Sequence, residues 1–302
     1  MSHKPVLLQE ILHGLHLKPD MIVVDGTVGS GGHAAEILKV IGPKGKLIAL
    51  DQDPQGIERS RQALKDFPQA SFYNENFRNL DKILDGLNIS SVDAVILDVG
   101  LSSEQLEEGQ RGFSFERNGP LDMRIDPESK VMARDLVNDL SQPELEKLLR
   151  EFGEERWAKR FASAICRQRE VRPIETTQGL VEVLQSALPI RFSSPKVRRP
   201  FWMKRHPATR VFQALRVAVN DELGALAEGL PKIWKRIKFG GCLAVITFHS
   251  LEDRIVKRQF RVWKQMKEAV LLTKKPVVPS AEEIFENPRA RSAKLRIAEK
   301  KV

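Results

Sequence analysis

Val24-Asp25-Gly26-Thr27-Val28-Gly29-Ser30-Gly31-Gly32-His33 is the stretch on which the reading of this 302-residue chain turns. A short apolar run, Met21–Val24, is closed by Asp25-Gly26, and helical spacing begins at Ala34. The sequence therefore reads strand, glycine-rich turn, helix start. Glycines at such a turn let backbone approach a ligand closely, and the first helical turn offers N–H groups with no partner inside the helix. Asp51 ends the next apolar run about 20 residues on, where a carboxylate can accept hydrogen bonds from ribose hydroxyls. Two ligands suit this pattern. Gly29-x-Gly31-x-x-Ala34 satisfies the dinucleotide fingerprint of a nicotinamide enzyme. Asp25, however, would aim its negative charge at a pyrophosphate and better suits a nucleoside with a cationic tail, such as S-adenosylmethionine. Charge favours the second reading; the residues alone leave both open.

Outward from the turn, strand and helix signals alternate. Lys46–Leu50, Ser71–Phe77 and Val92–Leu97 read as further strands, with helices over Ala34–Val40, Gln55–Leu64 and Leu80–Leu87 between them. This pace predicts a parallel sheet of βα units. From Ser102 to about Arg205 the signals are helical only. Ser141-Gln142-Pro143-Glu144 opens one amphipathic helix as a capping box, with Gly153 as its stop. Arg156–Arg169 and Gln178–Leu188 read as two more. A long helix is expected from Pro207, with Val211, Leu215, Val219, Leu223, Leu226 and Leu230 on one stripe. Cys242–Phe248 returns to strand, Glu252–Lys267 reads as a helix, and Lys294–Ala298 as a last strand. The expected fold is α/β, a Rossmann-like sheet domain carrying an inserted all-helical domain. The boundaries are drawn at 1–105, 106–206 and 207–302.

Charge sharpens the outline. The chain carries 49 Lys and Arg against 40 Asp and Glu, a net +9. Val183–Asn220 has no acidic residue and holds eight of the basic ones, leaving the remainder with 41 basic against 40 acidic. A generally basic, ribosomal-protein type of composition is excluded; one cationic segment on a nearly neutral globule suits phosphate or an acidic surface. Within that segment Phe192, Phe201 and Trp202 lie among Arg198, Arg199, Lys204 and Arg205, a mixture suited to unpaired RNA. No apolar run is long enough to span a bilayer, so no membrane role is expected. The start of the chain has neither a signal-peptide apolar block nor transit-peptide composition. Cys166 and Cys242 lack metal-type spacing, so the sequence predicts no metal site and no disulfide, and a cytoplasmic setting.

Three further places bear on chemistry. Asp98 ends the fourth strand, where the carboxyl ends of parallel strands form a ligand crevice. His249 follows the strand Cys242–Phe248 and should reach the same crevice. The turn-rich stretch Arg111–Arg124 is dense in Arg, Phe and Asp, so Arg111 and Arg124 are candidate RNA contacts.

Together these segments resemble one family. DGTVGSGGH (25–33), ALDQDP (49–54), ILDVGLSS (96–103), RGFSFERNGPLDMR (111–124), FGEERWAKR (152–160), HPATRVFQALRVAVNDEL (206–223), FHSLEDRIVK (248–257) and ENPRARSAKLRIAE (286–299) are similar to blocks of the bacterial small-subunit ribosomal RNA methyltransferase H family, also called MraW. The resemblance runs in order from His3 to Glu299. It implies a class I methyltransferase fold and S-adenosylmethionine-dependent N4-methylation of a cytidine in the decoding region (P site) of 16S rRNA, in the small (30S) ribosomal subunit. By position it places donor contacts on Gly31, Gly32, His33, Asp51, Phe77, Asp98 and Gln105. From their places at the strand ends, Asp98 or His249 is the expected catalytic contact with the amine. Whether the chain pairs as a homodimer is left open. The rival readings of the sequence are a nicotinamide oxidoreductase and an inactive RNA-binding assembly factor.

Overall fold

The computed structural model describes residues 5–188 and 206–301. They form two compact units, divided at Gly100/Leu101 and at Glu222/Leu223.

Among the described residues the first unit holds a seven-stranded sheet. Its strands are β1 Ile22–Asp25, β2 Lys46–Asp51, β3 Ala70–Asn74, β4 Val92–Asp98, β5 Ile237–Thr247, β6 Ala269–Leu271 and β7 Lys294–Lys300. Their order is β3-β2-β1-β4-β5-β7-β6. From β1 the chain lays β2 and β3 on one side, then β4 and β5 on the other, all parallel. β7 then pairs antiparallel with β5, and β6 with β7. The order reverses between β1 and β4, and in open α/β sheets the ligand crevice lies at the carboxyl ends beside that reversal. The fold is the expected α/β, Rossmann-like sheet of a class I methyltransferase.

The inner strands are apolar at nearly every position because helices cover both faces. Successive side chains alternate between two cores. Val23, Leu47, Ala94 and Ile96 join Ile11, Ile37, Leu38, Ile41 and Ile57 on one side. Val24, Ile48, Val95 and Leu97 join Leu80, Leu84, Leu226, Leu230, Ile233 and Phe260 on the other. Each strand therefore ends where alternation yields to a polar residue, and for β1, β2 and β4 that residue is Asp25, Asp51 or Asp98.

The second unit is helical, with one isolated β-bridge, Pro120 to Thr176, among its described residues. The capping box at Ser141 and Glu144 starts the helix Gln142–Gly153 as its sequence predicts. That helix packs Leu145, Leu148 and Leu149 with Phe161, Ile165, Leu180, Leu184, Val211 and Leu215 in one core.

The long helix expected from Pro207 is two helices, Ala208–Asn220 and Glu222–Arg236. Asp221 breaks it with a left-handed backbone, φ 47° and ψ 41°. The cause is non-local. The Asn220 side chain accepts from Ile125 N at 2.7 Å and donates to Met123 O at 2.7 Å, which draws the helix end onto the 123–125 loop. Arg216 bridges the break by a bidentate pair with Glu222, at 2.7 and 2.8 Å. The apolar stripe is continuous across Asp221, so periodicity could not show the break. The unit boundary consequently falls at Glu222/Leu223, not at 206/207, because Ala208–Asn220 buries its apolar face in the helical core. The first boundary lies at Gly100/Leu101 instead of 105/106.

Candidate active site

The glycine turn is tied to both neighbouring strands. Gly26 N donates to Ile96 O at 3.0 Å, and the Thr27 hydroxyl accepts from Asp98 N at 2.6 Å, which pins the turn to β4. Val28 N donates to Leu50 O at 2.8 Å, and Gly29 N to the Asp51 carboxylate at 2.8 Å, which pins it to β2. Gly31 has φ +85°, a conformation that a residue with Cβ adopts only under strain, and it caps the helix Gly32–Ile41.

Three carboxylates thus stand at neighbouring strand ends, and all three hold their protons unusually tightly. Asp25 is buried, accepts from Thr27 N at 3.1 Å, and is pushed up to about 7 by burial, with Asp51 adding repulsion. Asp51 is raised to about 6 by burial, against the pull of the Asp53 and Gly29 N–H groups. Asp98 is raised to about 8, first by burial, then by Asp25 and Glu252. Its Oδ1 is buried and makes no hydrogen bond. Its Oδ2 lies 3.8 Å from His33 Nδ1. His33 is itself buried, and its Nε2 lies 2.9 Å from Val6 O. A carbonyl only accepts, so Nε2 carries the proton and Nδ1 turns its lone pair or a second proton towards Asp98.

The structure brings Gly31, Gly32, His33, Asp51, Asp98 and Asp25 to one end of the sheet. Asp25, whose charge in the sequence bears on which ligand the turn suits, is thereby also a residue of the site. Phe77 lies three residues beyond the end of β3, opening a short 3-10 helix, and its ring is packed in the core against Gly229. Gln105 belongs to the other unit, where its amide closes a capping box with Ser102: Ser102 N donates to Oε1 at 2.9 Å.

His249 is engaged by the helix that it starts, Ser250–Gln265. Its Nδ1 accepts from Glu252 N at 3.4 Å, and its Nε2 lies 3.0 Å from Glu252 Oε1. The fully buried Glu252 also accepts from Phe248 N and His249 N through Oε2. Glu252 was missed in the sequence, although its place three residues after a polar helix-start residue is capping-box spacing.

The 111–124 stretch folds on itself. A Cβ on Gly119 would lie 1.9 Å from Gly109 O, so only glycine fits there. Arg111 donates to Arg124 O and Ile125 O at 3.0 and 2.7 Å. Arg124 grips the Asp122 carboxylate at 2.8 and 2.9 Å and donates to Pro127 O and Ser129 O. Both guanidiniums, expected at RNA, thus hold the loop together. Of the eight cations in the acid-free segment, Arg191, Lys196, Arg198, Arg199, Lys204 and Arg205 lie outside the described residues. The other two bond internally: Arg210 donates to Glu154 O at 2.9 Å, and Arg216 pairs with Glu222. Among the described residues, no helix is long and apolar enough to cross a membrane.

Known proteins match this chain along its length. A protein from Geobacter sulfurreducens named ribosomal RNA small subunit methyltransferase H is 45% identical over 316 residues, covering 99% of each chain. One of the same name from Symbiobacterium thermophilum is 44% identical over 310 residues, covering 97% of this chain and 95% of its own. Another, from Heliobacterium modesticaldum, is 42% identical over 315 residues, covering 99% and 98%. The model of the MraW methylase family matches residues 1–301. With that match and these identities, the chain belongs to the MraW methylase family.

Proposed function

We propose that this chain transfers a methyl group from S-adenosylmethionine to the exocyclic N4 amine of a cytidine in the decoding region (P site) of 16S rRNA, within the small ribosomal subunit and hence in the cytoplasm. Family membership and the names of the relatives support methylation of ribosomal RNA. The observation that carries the donor is the trio Asp25, Asp51 and Asp98 around the glycine turn. Carboxylates raised by burial and mutual repulsion gain most from a cation, which offsets both. A pyrophosphate would worsen the repulsion, which leaves the nicotinamide reading without support.

The residues fit that donor. The turn at Gly31, Gly32 and His33 would approach it through backbone. Both Asp51 oxygens already accept an N–H, and each keeps a lone pair for a ribose hydroxyl. Phe77 runs beside the base of the turn, where a Cβ on Gly26 would lie 3.1 Å from its own Cβ, so it is proposed to border the same end of the sheet. When bound, S-adenosylmethionine supplies a methyl group on a positively charged sulfur, so the donor needs no further activation by the protein.

The chain's own work is on the acceptor. A cytidine amine is a poor nucleophile because its lone pair is delocalised into the ring, and it must shed a proton as the new bond forms. Asp98 Oδ1, buried and without a hydrogen bond, is suited to accept from the amine N–H and so localise that lone pair. Ionised beside a cationic donor, the same carboxylate keeps enough proton affinity to take the proton that leaves. We assign this role to Asp98, which ends β4 beside the glycine turn, rather than to His249, whose Nδ1 caps the helix that it starts. Holding both reactants in line supplies much of the acceleration.

A paired or stacked base must be exposed before transfer, so the assembled subunit is the proposed substrate. The helical unit is proposed as the RNA-recognition domain, with Arg198, Arg199, Lys204 and Arg205 gripping phosphate. Neutralising these four should weaken subunit binding and lower its salt dependence by a slope of roughly 3, with donor affinity unchanged. The deciding experiment is tritium transfer from labelled donor to undermethylated small subunits, followed by nucleoside analysis. Label in N4-methylcytidine is expected; label in another nucleoside, or none, overturns the reading.

A further inference from the structure

Nearer the amino ends of the parallel strands, a second group of chemically active side chains converges. Ala94 pairs with Cys242 and Asp98 with Ile246, so Cys242 lies four residues, about 13 Å, below the level of Asp98. On the next strand Glu299 is the direct register partner of Cys242. His16, just after the helix Leu8–Gly14, completes the group. His16 Nδ1 is 3.9 Å from Cys242 Sγ and 3.8 Å from Glu299 Oε2. One ligand atom from each of the three lies within 4.8 Å of the others.

We propose that His16, Cys242 and Glu299 form a binding site for a borderline divalent transition ion of the zinc type, with solvent completing the coordination. The chemistry of the donors supports this: one imidazole nitrogen, one sulfur and one carboxylate oxygen are the ligand types that such an ion takes. Spacing supports it too. Around a tetrahedral zinc with bonds of about 2.0 and 2.3 Å, neighbouring ligand atoms stand roughly 3.4–3.6 Å apart. The two separations from His16 Nδ1, 3.9 and 3.8 Å, are a few tenths of an ångström wider, and the third pair lies within 4.8 Å; 3.8 Å is too long for a hydrogen bond between imidazole and carboxylate. The imidazole makes only long contacts with the thiol and the carboxylate, and all three ligand atoms face one another.

Backbone holds the imidazole in place. His16 has a left-handed backbone, φ 51°, between Leu15, which is fully buried, and Leu17, packed against the same core. Gly14 seats the helix end on β7 so closely that a Cβ would lie 2.1 Å from Ile297 Cδ1. The His16 side chain remains 52% exposed, which leaves an entry path and room for water. An ion here would staple the N-terminal helix to β5 and β7. The same N-terminal segment supplies the Val6 carbonyl that orients His33. Such an ion would act on stability, whichever RNA the chain methylates.

Cobalt(II) added to the purified full chain tests it. One equivalent is expected to raise a thiolate-to-metal band in the near ultraviolet, and equimolar zinc to raise the melting temperature by about 3–6 °C. Cys242→Ser and His16→Ala should abolish both signals, and Cys166→Ser should keep them. His16 is half exposed, so its alanine variant keeps the fold and isolates the ligand. No band in the wild type, or an equal band in His16→Ala or Cys242→Ser, overturns the site.

Discussion

The aspartates of the sheet's carboxyl edge and those of the 111–124 loop face burial in opposite ways. Among the described residues no arginine or lysine offsets the charge of Asp25 or Asp98, Asp98 has only the His33 imidazole 3.8 Å away, and their pKa values rise to about 7 and about 8. Asp122 is partly buried as well, yet Arg124 grips both its oxygens and holds its carboxyl below the ordinary range. A carboxylate that has its cation is part of the architecture. One that is buried without a cation costs the folded chain free energy, and it persists where a ligand supplies the missing charge. Both regions looked equally promising as sequence, each dense in Asp, Gly and aromatic residues. Pairing separates them.

The largest test of that contrast is Asp98→Asn, which keeps the shape and removes the base. Methyl transfer at saturating donor should fall by roughly 100-fold or more, measured by tritium incorporation, with the far-ultraviolet dichroism unchanged. Full turnover would remove Asp98 from the chemistry.

A matched pair of variants comes next. Asp25→Asn should stabilise the ligand-free chain by about 1–3 kcal/mol at pH 8, because a neutral amide replaces a carboxylate ionised at a cost, while donor affinity drops. Asp122→Asn should destabilise it by about 1–2 kcal/mol, since Arg124 loses its partner in a partly solvated setting. Denaturant melts of the two read the opposite signs, and equal signs would break the distinction.

Proton linkage gives a smaller effect of known direction. Asp25, Asp51 and Asp98 keep their protons to about 7, 6 and 8 in the folded chain, whereas an unfolded aspartate releases its proton near 4. The folded state binds more protons over that interval, so this contribution to stability is full below pH 4 and lost as pH rises to about 8. Asp122 runs the other way: its contribution is present above about pH 4 and lost as pH falls through its depressed pKa. A cationic donor favours the ionised trio. Its affinity relative to the uncharged thioether product, S-adenosylhomocysteine, should rise between pH 6 and 8, by up to about tenfold. Calorimetric titration of both ligands measures the ratio.

The smallest effect belongs to the turn that spaces the carboxylates. Gly31→Ala forces a side chain into φ +85° against Leu64, 3.4 Å away. We expect a loss of about 1–2 kcal/mol, seen as a lower melting temperature and weaker donor binding.

Much of this was legible in the chain because it rests on neighbours in sequence. Apolar runs ending in Asp25, Asp51 and Asp98 mark strands covered on both faces, and the turn needs only its own glycines. Capping at Ser141 and Glu144 spans four consecutive residues. These are local conformational preferences, and they also carry the fold class and the donor end of the site. Distant contacts decided the rest. Asn220 ends its helix because of Met123 and Ile125, nearly a hundred residues earlier, while the apolar stripe runs on unbroken. Arg111 and Arg124 turn inward because backbone carbonyls and Asp122 surround them, which charge density alone could not reveal. β6 is three residues long and exists only because β7 offers it an edge. His16 meets Cys242 across 226 positions, and no ligand spacing could announce it. Sequence by itself determined most of the strands and helices and where charge accumulates, since these depend on residues close along the chain. Tertiary structure decided which charges are neutralised, because that depends on what folding brings within a few ångströms.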